Sequence, residues 1–85
     1  MTDKARQLDE ALKAAGLAAV RVWESSPGRL SLEFLDPRAA EVTLNLATAL
    51  GAVRNLASKL AFTVECDAVG KLCDSITRFA NVNRR

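Results

Sequence analysis

Residues 18–36 read Ala-Ala-Val-Arg-Val-Trp-Glu-Ser-Ser-Pro-Gly-Arg-Leu-Ser-Leu-Glu-Phe-Leu-Asp, and the fold turns on how they are parsed. Val20 and Val22 alternate with Arg21 and Trp23, and Leu30, Leu32 and Phe34 alternate with Ser31 and Glu33. A period of two over two short runs, separated by Ser-Ser-Pro-Gly, predicts a β-hairpin. Its register follows from parity. The two apolar rows share a face only if Val22 meets Leu32 and Val20 meets Phe34, which also sets Arg21 opposite Glu33. That register requires an odd loop, for example Ser26-Pro27-Gly28. Trp23 then points to the other face, where Leu35 of the second strand joins it.

On the N-terminal side, residues 3–15 predict a helix. Thr2 is its N-cap, Asp3 suits the positive end, and Ala5, Leu8, Leu12 and Ala15 form one stripe. Gly16 is placed to end it.

On the C-terminal side, Asp36 is a good N-cap and Pro37 suits the first helical position. Val42, Leu46, Leu50, Val53, Leu56 and Leu60 continue a 3.6-residue stripe, so 37–60 reads as helical. One such helix would be about 36 Å long, against roughly 30 Å for a compact chain of this size. It therefore breaks near Gly51, or protrudes onto a second copy. Residues 61–66 alternate like a strand, although Phe62, Cys66, Val69, Cys73 and Ile76 also suit a continuous helix. Asp67 can cap a last helix, and 81–85 read as a frayed basic tail.

The expectation is a single α+β domain spanning 1–85, in the order α-β-β-α-β-α, with a small antiparallel sheet covered by helices on one face. With 85 residues, 49% of them hydrophobic, the chain is large enough for one core and too apolar to be disordered. No run is long and apolar enough to predict a membrane span, and Lys4, Arg6, Asp9 and Glu10 interrupt any signal-peptide core.

Chemistry is sparse. There is no His and no Tyr, which removes the commonest general base and the usual Ser/His and Cys/His pairs. The glycines are scattered singly, without a phosphate loop. Cys66 and Cys73 are seven apart, about 10.5 Å along a helix, too far to bridge there. They read as buried free thiols in a reducing, cytoplasmic setting, with no zinc motif around them. Glu65 and Asp67 share a strand face with Asp74 nearby, a nonspecific carboxylate grouping. No catalytic residue, metal or cofactor is expected.

Two binding readings remain. The first is a non-catalytic protein-interaction module, self-associating or binding another protein. Trp23 and Leu35 anchor one contact; Arg54 and Lys59 on the 38–60 helix supply another. The second is a DNA-binding regulator. Residues 44–61, with Ala47, Gly51 and Ala57 spaced among Leu46, Leu50 and Leu60, resemble a helix-turn-helix. Its second helix would present Arg54, Asn55, Ser58 and Lys59 to a major groove. Charge gives this mild support: residues 1–43 hold six basic and seven acidic groups, and 44–85 hold six basic and three acidic.

Overall fold

The hairpin of residues 18–36 forms the first half of the sheet in a computed structural model, which describes residues 2–83. Strand β1 (Arg21–Ser26) pairs antiparallel with β2 (Arg29–Glu33). Val22 meets Leu32 and Arg21 meets Glu33, as parity demands. The odd residue lies elsewhere than expected, however. The loop is the two-residue turn Pro27-Gly28, with Gly28 at φ 81°, and Ser25 bulges out of β1 instead. Val20 does not meet Phe34 either. Its N–H donates to the Glu33 carbonyl at 2.7 Å, while the Phe34 N–H turns the other way, to Leu60, at 2.8 Å.

Helix α1 (Asp3–Ala14) starts where Thr2 Oγ1 accepts the Ala5 N–H, and it buries Ala5, Leu8 and Leu12. Helix α2 (Pro37–Ala49) starts at Asp36, whose carboxylate accepts the Arg38 N–H at 3.0 Å. It ends at Gly51, which takes φ 65° so that the Ala52 N–H can reach the Ala47 carbonyl.

After Gly51 the chain reverses. Residues 53–58 are strand β3 (Val53–Ser58), which pairs antiparallel with β4 (Ala61–Glu65) through a turn at Lys59 and Leu60. Residues 37–60, expected to be helical with either a break near Gly51 or a protruding helix, do break there but continue as a strand, and the order is α-β-β-α-β-β-α. The helix-turn-helix expected over 44–61 has no second helix. A 3-10 turn (Cys66–Ala68) leads into α3 (Val69–Val82). Asn81 and Val82 are its last residues rather than a frayed tail, and Arg84 and Arg85 lie outside the described residues.

The four strands lie in the order β1-β2-β4-β3, antiparallel throughout, so β1 and β3 are the free edges. Val22, Leu30, Leu32, Phe62 and Val64 point to one face and are buried under the helices. Phe34 stacks on Phe62 with ring centroids 5.8 Å apart.

Helix α2 buries its small residues Ala39, Ala40, Thr43 and Ala47. Val42, Leu44 and Leu46 are half-buried on its flanks, and Leu50 and Leu56 are exposed. The long apolar stripe is therefore not a core seam, because the reversal at Gly51 splits it between two elements. Thr43, the one buried polar side chain among the described residues, donates its hydroxyl to the Ala39 carbonyl at 2.8 Å. Among the described residues no helix is long and apolar enough to cross a membrane.

Candidate partner-binding surfaces

Alternation along each strand that buries one face leaves the other uncovered. Three cross-strand rows make up this open face. Arg21, Glu33, Ala61 and Ser58 form the first, and Trp23, Ser31, Thr63 and Asn55 the second. Arg29 and Glu65 form the third, with Arg54, a bulge residue of β3, closing on the same Glu65 carboxylate.

Trp23 is half-buried at the β1 edge of the middle row, with the Arg21 guanidinium carbon 4.1 Å from its ring centroid. That is stacking distance for a cation over an indole. Ser31 Oγ and Thr63 Oγ1 share a hydrogen bond at 3.0 Å. Arg21 lies 3.9 Å from Glu33, and Arg29 lies 3.8 Å from Glu65. Such exposed pairs are worth about 0–1 kcal/mol each, so they orient the arginines without removing them from use. An open groove of about 640 Å³ follows the β1 edge, lined by Thr2 and by Arg21 through Glu24.

A second surface lies on the helix side, where β3 runs past α2. Leu56 is opposite Phe62 and thus faces the helices, yet it stays 55% exposed because α2 does not reach over it. The groove between them, about 540 Å³, is lined by Pro37, Glu41, Leu44, Asn45, Leu56 and Lys59. Bulges at Arg54 and Ala57 interrupt β3, so a partner strand would find little regular ladder on that edge.

The residues expected to form a site are redistributed. Trp23 takes the face opposite the core, as the register demands. Leu35 is 82% exposed beyond the end of β2, four residues and about 13 Å of extended chain past Ser31, so the two do not make one patch. Arg54 and Lys59 belong to β3 and its turn, not to a helix. Asn55 lies opposite Thr63 and Ser58 opposite Ala61, both on the open sheet face. Ser58 Oγ also accepts the Leu60 N–H at 3.2 Å, shaping the β3–β4 turn. Missed from sequence was the Leu44–Leu56 groove. Its one signal was the break near Gly51, since the bulged Val53 to Ser58 run carries no clean alternation.

Glu65 is committed to Arg54 and Arg29, and among the described residues no three His, Cys, Asp or Glu groups gather as a metal site. Cys66 and Cys73 are buried and unbridged. Burial pushes both thiols up from their ordinary value, with Glu24 adding to the effect at Cys66 and Asp74 at Cys73. A higher thiol pKa leaves less thiolate at any given pH. Iodoacetamide at pH 8 should therefore label both cysteines quickly in denaturant and slowly in the folded protein. Fast native labelling of either would contradict this burial. No known protein family, curated protein sequence or solved structure matches this chain.

Proposed function

We propose that the chain is a non-catalytic protein-interaction module whose contact is the groove between α2 and β3. The observation that carries this reading is Leu56. It is a large aliphatic side chain, 55% exposed in the middle of an edge strand, beside a groove walled by Leu44 and Pro37. Exposed apolar side chains at a formed groove are where small domains meet partners. The interrupted β3 ladder favours a partner that fills the groove with apolar side chains over one that adds a strand. Glu41 and Lys59 line the rim with opposite charges and set orientation. The free thiols support a reducing, cytoplasmic location.

Leu56→Glu tests the reading. The substitution should cost about 1 kcal/mol, as a half-exposed position does, while abolishing association. Analytical ultracentrifugation reads a second copy as a mass of twice 9.1 kDa. Co-purification from the native host reads a different partner. The association should change little between about 50 and 200 mM salt, unlike phosphate-driven binding. Unaltered association in Leu56→Glu would remove the groove from the interface.

A further inference from the structure

We infer that the open sheet face is a binding platform for single-stranded nucleic acid, with Trp23 as the stacking residue. This surface is separate from the α2–β3 groove, since the two lie on opposite faces of the sheet. Such platforms combine aromatic side chains, on which bases stack, with cations that track the backbone. The middle row supplies the stacking and the polar contacts: Trp23, then Ser31, Thr63 and Asn55, one from each strand. At about 4.8 Å between strands the row is roughly 14 Å across, which is room for two or three nucleotides.

Positive charge flanks the row on both sides. Arg21 lies in the first row and already covers one side of the indole, while Arg29 and Arg54 lie in the third. Against these three cations the face sets two acids, Glu33 and Glu65. The excess suits a polyanion. Ser31, Thr63 and Asn55 offer both donors and acceptors to base edges and sugars. A pleated face without a projecting helix or ribbon has nothing to insert into a major groove, so the ligand is single-stranded rather than duplex.

The chain's sole tryptophan, with no tyrosine present, makes the test direct. Titration with oligo(dT) or oligo(U) at about 50 mM salt should quench Trp23 fluorescence as bases stack on it. Three phosphate contacts imply a log–log salt slope of about −2, or a roughly twentyfold loss of affinity by 200 mM. With labelled oligonucleotide read by anisotropy, Trp23→Ala should weaken binding by about 5- to 150-fold, Trp23→Phe much less. Arg54→Ala should flatten the salt slope by about 0.7.

Leu56→Glu should leave all of this unchanged, which separates the platform from the groove. No quench and no anisotropy change would overturn the inference, even if the α2–β3 contact is real. So would binding that is unaffected by Trp23→Ala but lost on replacing Arg84 and Arg85. A clear preference for duplex DNA over oligo(dT) would overturn it as well.

Discussion

Replacing Phe62 by Ala should cost about 3–5 kcal/mol, the range for truncating a buried phenylalanine. Phe62 is 2% exposed on β4, a central strand, with Leu32 opposite it on one side and Leu56 on the other. Its ring also stacks on Phe34. An 85-residue domain has a total stability of about 4–13 kcal/mol, so the variant should be marginal or unfolded at physiological temperature. Each kcal/mol moves Tm by about 4–8 °C in a domain of this size, so Tm should fall by more than about 10 °C. Leu56→Ala is the control, because it truncates a large side chain in the same cross-strand row that is half in water. It should cost under about 1 kcal/mol. Urea unfolding followed by circular dichroism decides, and equal losses in the two variants would mean that the core is not where the sheet places it.

The contrast between Phe62 and Leu56 also shows what was legible in the sequence. The hairpin register was readable because parity is a strong constraint: only one phase buries Val22, Leu30 and Leu32 together. It correctly sent Trp23 to the uncovered face. Parity does not say where an odd residue goes, however, and a bulge at Ser25 satisfies it as well as a three-residue loop. The stripe Val42, Leu46, Leu50, Val53, Leu56, Leu60 misled because a helix followed by an edge strand can mimic one long helical period. In strand β3 the period of two is itself broken by bulges at Arg54 and Ala57, so no clean alternation competed with the helical reading. The consequence for function was large. Asn55 and Ser58, read as one side of a helix, lie instead on the sheet face that Trp23 occupies. Leu56, read as part of a helical apolar stripe, lies in a groove.

The residue behind that error supports the second large effect, since Gly51 and Gly70 should respond to the same substitution with opposite signs. Gly51 has φ 65°, a conformation that costs an L-residue about 1–2 kcal/mol. A Cβ built at Gly51 meets nothing within 4 Å, so its cost is conformational and not a clash. Gly70 lies in the first turn of α3 at an ordinary negative φ, and a Cβ there also meets nothing within 4 Å. Gly51→Ala should therefore destabilise by about 1–2 kcal/mol, and Gly51→Asn by less, because Asn tolerates the left-handed region. Gly70→Ala should stabilise by up to about 1 kcal/mol, because it removes backbone freedom from the unfolded chain at a helical position. Thermal unfolding of the three variants reads both signs in one experiment. If Gly51→Ala proved neutral, α2 would tolerate continuing past residue 51. The reversal that makes β3 an edge strand, and with it both proposed surfaces, would then lose its physical cause.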